Sequence, residues 1–211
     1  MDEYQKLIEK KVVAAEYNGF DICPSEIHPS LFDHQRDIVQ WAVKGGCRAV
    51  FASFGLGKTR MNIEICRHIL NYEGGKALII GPLGVRQEFT KKDGPAMGVQ
   101  IAYCSNMEEV EAAGTPYIFT NYERIRLGHI DVTKFTVVTL DEASVLRSTG
   151  SDTFDVFMEV FKTVKYKFVF TATPSPTVTL NLSTTLIFWA LWTGGRRLHA
   201  FLSATVRKRA I

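Results

Sequence analysis

Short apolar runs alternate with amphipathic segments along most of the chain. Six runs have the length and composition of β-strands, and five segments between or after them carry apolar residues at helical spacing. Strands that alternate with helices form a parallel sheet covered by helices on both faces, so the pattern predicts an α/β fold. The predicted strands are Ala49–Ala52, Ala77–Ile80, Gln100–Tyr103, Tyr117–Thr120, Thr136–Leu140 and Lys167–Thr171, and the predicted helices are Lys58–Asn71, Val85–Lys92, Met107–Ala112, Tyr122–Leu127 and Phe154–Thr163.

Two further helices are predicted before the first strand. Tyr4–Ala15 has apolar residues at helical spacing, and Asn18–Gly19 interrupts that pattern. The next helix opens at Pro29–Ser30 and ends at Gly45–Gly46, because Pro is favoured at the start of a helix and Gly after its end. Residues 1–28 are therefore interpreted as an N-terminal helical segment in front of the α/β domain.

A glycine-rich loop lies between the first predicted strand and the helix that follows it. Its sequence is Ser53-Phe54-Gly55-Leu56-Gly57-Lys58-Thr59. A strand, a glycine-rich loop and a helix in this order form a phosphate-binding loop, in which backbone N–H groups and the helix N-terminus face the phosphates. We expect residues Ser53–Gly57 to hold ATP, with Lys58 on the β- and γ-phosphates and Thr59 on Mg²⁺.

Two adjacent carboxylates follow the fifth predicted strand. Asp141 and Glu142 come directly after the apolar run that ends at Leu140. Ligands of open parallel sheets bind at the carboxyl ends of the strands, which is where this pair is expected. We expect Asp141 to hold the magnesium ion through water and Glu142 to orient or deprotonate the water that attacks ATP. Asp141, Glu142 and Lys58 are thus the candidate catalytic residues.

These motifs resemble the first RecA-like domain of superfamily two helicases, most closely the Swi/Snf-like and phage-type DEAD/DEAH-box branch. The resemblance spans Pro29 to Pro176 and implies a RecA-like P-loop NTPase domain over residues 29–176. Leu31–Gln35 resembles the adenine-reading element, in which Gln35 would bind the adenine edge. Asp141–Ser144 ends in Ser where the better known boxes have Asp or His.

Three more segments carry the resemblance. Ile79–Phe89 resembles motif Ia and Thr120–Arg124 resembles motif Ib, which contact the nucleic-acid backbone and therefore position it without reading its sequence. Phe170–Pro174 resembles motif III, which couples hydrolysis to nucleic acid. The resemblance implies DNA or RNA as a partner, with backbone contacts from Pro82, Arg86, Asn121 and Tyr122 and with Thr171 and Thr173 in coupling.

The character of the sequence changes after Pro176. Residues 177–211 contain five Lys and Arg residues and no acidic residue; without them the chain has 20 basic and 22 acidic residues, a net charge of −2 instead of +3. Nucleic-acid binding therefore has to be argued from motifs. Codons for residues 177–204 can be chosen so that the neighbouring frame encodes a continuation like that of phage-type helicases. We interpret this basic tail as a frameshift product; a genuine basic arm is the alternative.

The length of the chain bears on the function that the resemblance implies. Helicase-type motors close ATP between two RecA-like domains, and the second domain supplies arginines that stabilise the transferring phosphoryl group. The 35 residues after Pro176 leave no room for that domain. We expect the ATP-binding half of a nucleic-acid-dependent ATPase. The alternatives are a non-catalytic ATP- or DNA-binding remnant and a small P-loop kinase, although kinases usually have the loop nearer the N-terminus.

Cysteine spacing and hydropathy bear on metal sites and location. The four cysteines are far apart and include no Cys-x-x-Cys pair, which favours reduced thiols over a metal site. The longest apolar run, Leu186–Trp192, has seven residues, whereas a membrane span needs roughly 20. We expect a cytoplasmic protein without a membrane segment, monomeric by default.

Overall fold

A six-stranded sheet forms the centre of the molecule, and all its neighbouring strands are parallel. The computed structural model describes residues 17–142, 157 and 164–172. The strand order is β1-β6-β5-β2-β4-β3. The strands are β1 (Cys47–Phe51), β2 (Ala77–Ile80), β3 (Ile101–Tyr103), β4 (Tyr117–Thr120), β5 (Val137–Asp141) and β6 (Tyr166–Thr171).

Helices connect the strands. The α-helices are α1 (Asp33–Gly45), α2 (Lys58–Glu73), α3 (Gly94–Ala96), α4 (Met107–Ala112) and α5 (Tyr122–Arg126). Short 3₁₀ turns occur at Pro24–Glu26, Leu83–Val85 and Val132–Lys134, and a π-helix spans Glu88–Asp93. Among the helices that the structure describes, none has both the length and the apolar character that crossing a bilayer requires.

The two faces of the sheet bury two separate apolar clusters. Along β2, Ala77 and Ile79 join the cluster under α1 and α2, whereas Leu78 and Ile80 join the cluster under α4 and α5. This follows from the two-residue period of a strand, in which successive side chains point to opposite faces. All four side chains are fully buried. The predicted α/β fold with helices on both faces is therefore confirmed.

The predicted strands match the observed ones closely. β2 and β4 have the predicted bounds, and β3, β5 and β6 differ by one residue at one or both ends. The largest strand difference is at β1, which begins at Cys47 and not at Ala49. Cys47 and Arg48 pair with Lys167 and Phe168 of β6, so the strand extends to a polar residue that the apolar pattern excluded.

The predicted helix Val85–Lys92 is helical in the structure, but most of it has the wider turn of a π-helix. The segment contains a 3₁₀ turn that ends at Val85, then the π-helix Glu88–Asp93. The wider π turn buries both Phe89, whose ring lies 5.3 Å from that of Phe119, and Asp93, which forms an ion pair of 3.0 Å with Arg60. A regular amphipathic pattern does not reveal such a π turn, which is frequent near functional sites.

The helix predicted to open at Pro29–Ser30 begins later, at Asp33. The side chain of Gln35 accepts a hydrogen bond of 3.0 Å from the Phe32 N–H and so closes the first turn. The end of α1 agrees with the prediction, because Gly46 has a φ of +71° that favours glycine. The predicted helix Tyr4–Ala15 and the basic tail lie outside the described residues, as does the predicted helix Phe154–Thr163 except Phe157, which is helical and buried.

Candidate nucleotide-binding site

Neighbouring strands bring the three predicted motifs to one edge of the sheet. β6 lies between β1 and β5, and its register pairs Phe51 with Thr171 and Asp141 with Phe170. The Ala52 N–H donates a hydrogen bond of 3.1 Å to the Thr171 carbonyl, which extends this pairing one residue beyond β1. The glycine-rich loop, the two carboxylates and the segment that resembles motif III therefore lie side by side at the carboxyl edge.

The loop before α2 has the backbone shape that phosphate binding requires. Gly55 and Gly57 have φ values of +82° and +74°, a region that glycine enters without steric cost. Gly57 is the N-cap of α2, whose first residues are Lys58 and Thr59. The N–H groups at the start of this 16-residue helix have no partners within the helix, and the positive end of its dipole faces the loop. This geometry suits a polyphosphate.

The Lys58 side chain folds back on the loop. Its Nζ donates hydrogen bonds of 3.0 Å to the Ala52 carbonyl and 3.3 Å to the Ser53 carbonyl. The same nitrogen lies 5.0 Å from the centre of the Phe54 ring, and Phe54 itself is 80% exposed. Both carbonyls are neutral acceptors, so the positive charge of Lys58 is not neutralised by these bonds. A phosphate would provide the charge-assisted partner that they lack.

Asp141 is a buried carboxyl group at the end of β5. Its Oδ1 atom finds no hydrogen-bond partner among the described residues, and the residue is only 6% exposed. Burial raises the pKa of Asp141 to about 6; the nearby Lys58 opposes this shift, and the charge of Glu142 adds to it. A buried oxygen without a partner is costly unless a ligand or ion satisfies it. Asp141 therefore fits the role of a magnesium ligand.

Glu142 has an unusual backbone conformation. Its φ is +54°, and among the described residues it is the only one other than glycine with a positive φ. Such a conformation costs free energy and often occurs at functional sites. The Thr171 hydroxyl donates a hydrogen bond of 3.3 Å to Glu142 Oε1. The carboxylate of Glu142 is thus aimed along the carboxyl edge, towards the end of β6.

The donor set fits magnesium only if a nucleotide provides further ligands. Within the described part of the chain, no group of three or more His, Cys, Asp or Glu side chains could hold a metal ion. Mg²⁺ is commonly bound by one or two protein oxygens, with phosphate oxygens and water completing its six ligands. The Thr59 hydroxyl and the Asp141 carboxylate are two such oxygens, so the residues present fit a magnesium–nucleotide complex better than a bare ion.

Gln35 lies against the glycine-rich loop that is predicted to bind phosphate. Its Nε2 donates a hydrogen bond of 3.0 Å to the Leu56 carbonyl, while its Oε1 accepts the Phe32 N–H. The residue is 3% exposed. Both ends of the amide therefore already bind backbone atoms, and reading adenine would need its remaining N–H or lone pair. The role predicted for Gln35 stays a prediction, but its contact with the loop was not foreseen.

The residues predicted to contact nucleic acid differ in their accessibility. Pro82 and Arg86 are partly exposed, and the Arg86 guanidinium lies 5.0 Å from the centre of the Tyr103 ring. Asn121 is 7% exposed and caps α5 by accepting the Arg124 N–H at 3.2 Å. Tyr122 is buried, and its hydroxyl donates to the Asp141 carbonyl. This placement does not favour the direct contact predicted for Tyr122.

Of the two residues predicted to couple hydrolysis to nucleic acid, the structure describes one. Thr171 is 3% exposed and its hydroxyl donates to Glu142, while its role in coupling stays a prediction. Thr173 lies outside the described residues.

Sequence reasoning missed Tyr103, which supports Arg86; an aromatic residue at the carboxyl end of a predicted strand was the available signal. It also missed Asp93, because no spacing in the sequence links it to Arg60.

Comparisons with known proteins support the fold. No family model matches the chain, and no curated protein sequence matches it. Solved structures do match. The SWI2/SNF2 ATPase core of Sulfolobus solfataricus, solved in complex with dsDNA, superposes with a TM-score of 0.61 at 19% identity, over 82% of this chain and 40% of that one. The UvsW helicase of bacteriophage T4 gives 0.60 at 14% identity, over 86% and 64%.

A third neighbour is the Hef helicase domain of Pyrococcus furiosus, with a TM-score of 0.58 at 18% identity, over 78% of this chain and 37% of that one. The chain thus spans between about a third and two thirds of the length of these neighbours. At such low identity the likeness establishes the fold. The protein has the α/β RecA-like fold of these neighbours.

Proposed function

We propose that this chain binds ATP with Mg²⁺ at the carboxyl edge of its sheet and serves as the first RecA-like domain of a nucleic-acid-dependent ATPase. One observation carries the proposal: the glycine loop that starts α2 and the Asp141 carboxyl group lie at the same edge of the sheet, and the buried Oδ1 of Asp141 has no hydrogen-bond partner among the described residues. Positive groups for phosphate and a buried acidic oxygen for a cation are both needed to bind magnesium ATP.

Each residue has a distinct task in this proposal. Lys58 leaves the Ala52 and Ser53 carbonyls and binds the β- and γ-phosphates, while the N–H groups of Gly55 and Gly57 face the phosphate oxygens. Thr59 and Asp141 would hold the magnesium ion. When bound, that ion would neutralise part of the phosphate charge and stabilise the transition state.

Glu142 is proposed to act on the attacking water. Its carboxylate accepts the Thr171 hydroxyl through Oε1, which holds it at the carboxyl edge, and Oε2 would bind the water. A carboxylate in that position can orient the water and take its proton as the bond to phosphorus forms. Thr171, on the neighbouring strand, then links the position of Glu142 to motif III.

Nucleic acid is the proposed partner of the same edge, on the β2 and β4 side. One neighbour of the same fold was solved in complex with dsDNA. Arg86 is partly exposed, and its guanidinium lies over the Tyr103 ring, where it could bind a phosphate. Asn121 lies at the end of β4, the strand next to β2, after which Arg86 follows in the chain. DNA and RNA backbones both offer such phosphates.

A second RecA-like domain is proposed to complete the active site. In ATPases of this fold, arginines that stabilise the transition state come from outside the domain that carries the phosphate-binding loop. We therefore expect the 211-residue chain alone to bind ATP but to hydrolyse it slowly, with little stimulation by nucleic acid. Joining a second RecA-like domain would raise turnover and its dependence on nucleic acid.

The proposal is tested by measuring nucleotide binding and phosphate release separately. Fluorescent ATP is titrated with the chain with and without Mg²⁺, and phosphate release is followed with duplex DNA, single-stranded DNA or RNA. Magnesium-dependent binding supports the nucleotide site. Absence of ATP binding under all these conditions would overturn the proposal. Transfer of phosphate to an added nucleotide, instead of to water, would replace it by a kinase activity.

A further inference from the structure

Tyr122 connects two parts of the carboxyl edge that are not adjacent in the sheet. It is the first residue of α5 and directly follows Asn121, the turn residue at the end of β4. Its hydroxyl donates a hydrogen bond of 2.7 Å to the carbonyl of Asp141, the last residue of β5. β2 lies between β4 and β5, so this side chain crosses the end of one strand.

The acceptor of this bond is the peptide group that joins Asp141 to Glu142. Its orientation sets the direction in which both carboxylates leave the strand. The next backbone torsion is the φ of Glu142, which at +54° lies in the left-handed region that a residue with a side chain rarely adopts. A strained conformation persists only when its surroundings hold it. The Tyr122 hydroxyl is one of the groups that can do so.

The environment of Tyr122 makes this bond a specific one. The residue is 7% exposed, and its ring packs 5.5 Å from that of Phe157, which is fully buried. The hydroxyl is therefore held at one place and has little access to water as an alternative partner. Burying a hydroxyl without a partner is unfavourable, so Tyr122 and the Asp141 carbonyl are expected to move together.

We propose that Tyr122 is a positioning residue that couples the nucleic-acid side of the edge to the Asp141–Glu142 peptide. The proposal rests on the proposed function and deepens it. A shift of the Asn121 turn, where nucleic acid is proposed to bind, would be passed through the Tyr122 side chain to the two carboxylates. Tyr122 thus acts on the nucleotide site from within the domain, without touching either ligand.

The test replaces Tyr122 by Phe in the 211-residue chain, which removes the hydroxyl and keeps the ring. Tyr166→Phe is the matched control. Tyr166 is buried, and its hydroxyl donates a bond of the same length, 2.7 Å, to Glu73. That bond lies near the amino end of β6, where Tyr166 pairs with Val137, far from Asp141. Both variants therefore lose one hydroxyl hydrogen bond, but at opposite edges of the sheet.

Magnesium titration of fluorescent ATP binding separates the two roles. We expect the Mg²⁺ concentration at half-maximal binding to rise about three- to tenfold in Tyr122→Phe, the range of one lost hydrogen bond, with unchanged binding in EDTA. Tyr166→Phe should keep the wild-type magnesium dependence. Both variants should lower the thermal midpoint by a similar amount. If Tyr122 has a purely structural role, Tyr122→Phe will show this loss of stability but will keep the wild-type Mg²⁺ concentration at half-maximal binding.

A second readout uses duplex DNA. If the two sites are coupled, DNA should change the nucleotide affinity of the wild-type chain and of Tyr166→Phe. This effect should be smaller in Tyr122→Phe. The affinity of Tyr122→Phe for DNA in the absence of nucleotide should equal that of the wild-type chain. Wild-type magnesium dependence in Tyr122→Phe would overturn the inference. A loss of DNA affinity in Tyr122→Phe would also overturn it, because that result would mean a direct contact with DNA. In both cases the proposed nucleotide site would stand. If the wild-type chain shows no magnesium-dependent ATP binding, the proposed function fails first, and the inference with it.

Discussion

The Nε2 atom of Gln35 lies 2.2 Å from the point that a β-carbon on Gly57 would occupy. The same nitrogen donates to the carbonyl of the preceding residue, Leu56. Gln35 therefore packs directly on the backbone of the glycine-rich loop, at a place where a β-carbon would have to displace its amide group. The start of α1 and the start of α2 are joined through this single side chain.

Gly57→Ala should damage the loop more than Gly55→Ala does. Both glycines have a positive φ, which costs alanine about 1–2 kcal/mol, but a β-carbon on Gly55 would meet nothing within 4 Å. On Gly57 the methyl group must also displace Gln35 from Leu56. We expect Gly57→Ala to show the larger fall in thermal midpoint and in ATP affinity, measured by melting and by fluorescent titration.

The Gln35→Ala background isolates the contact between the two side chains. In that background the methyl group of Gly57→Ala has space, so its extra cost relative to Gly55→Ala should disappear. The difference between the cost of Gly57→Ala in the wild-type chain and its cost in the Gln35→Ala background is the coupling energy of a double-mutant cycle. Equal costs of Gly57→Ala with and without Gln35 would show that the close approach has no energetic consequence.

Glu64 provides a pH dependence of stability. Burial would raise the pKa of this carboxyl, but hydrogen bonds from His68, Arg67 and the His28 N–H outweigh it and lower the pKa from 4.5 to about 2. Because the pKa is lower in the folded state, this stabilisation is complete above pH 4.5 and is lost as the pH falls towards 2. We expect the free energy of unfolding to decrease through that window in urea denaturation.

Glu64→Gln should flatten this pH profile and destabilise the protein at neutral pH. The amide cannot ionise, and the half-buried Arg67 loses the carboxylate that it now contacts. Glu88→Gln is the control, because Glu88 forms a solvent-exposed ion pair with Lys92 that contributes little. A variant of Glu64 that follows the wild-type profile between pH 4.5 and 2 would assign the dependence to other groups.

Glu142→Gln should separate binding from hydrolysis. The amide keeps the size of the side chain but cannot take a proton, so phosphate release should fall roughly 10²-fold or more while magnesium ATP still binds. The comparison is made in a protein that includes both RecA-like domains, since turnover depends on both. Glu123→Gln, an exposed change on α5, serves as the control. Wild-type turnover in Glu142→Gln would assign the general base to another residue.

Arg86→Ala should weaken DNA binding in a salt-dependent way. Loss of one phosphate contact lowers the affinity for all sequences alike and reduces the slope of log affinity against log salt by about 1. Lys134→Ala removes one charge near the amino end of β5, at the opposite edge of the sheet, and should leave the slope unchanged. Equal salt slopes for Arg86→Ala and the wild-type chain would exclude a phosphate contact by Arg86.

The sheet could be predicted from the sequence because its strands are buried on both faces. β2 is a continuous apolar run and β5 is apolar at Val137, Val138 and Leu140, and such segments are recognisable without knowledge of their neighbours. The loop Ser53–Gly57 and the pair Asp141 and Glu142 were also visible, since their chemistry depends on residue type and local order. Their meeting at one edge followed from the parallel topology.

The contacts that the sequence did not reveal join residues that are far apart along the chain. The bond from Tyr122 to Asp141 and the packing of Gln35 on Gly57 depend on how helices sit over the strands, which no local pattern encodes. Tyr122 was interpreted as a surface contact because motif resemblance gives position along the chain and not burial. A helix is predicted at Val85–Lys92, but its π turn at Glu88–Asp93 is not, because the spacing of apolar residues does not distinguish a π turn from an α turn over so short a segment.

Fluorescent ATP titration of the wild-type chain, Lys58→Ala and Asp141→Asn, each in Mg²⁺ and in EDTA, tests the central claim most directly. Lys58 is expected to bind phosphate, so Lys58→Ala should lower affinity about 10- to 100-fold in both conditions, as for a lost charge-assisted hydrogen bond. Asp141 is expected to bind the cation, so Asp141→Asn should lower affinity in Mg²⁺ and leave it unchanged in EDTA. Wild-type affinity in both variants, or an equal loss for Asp141→Asn in EDTA, would contradict a magnesium ATP site between these residues.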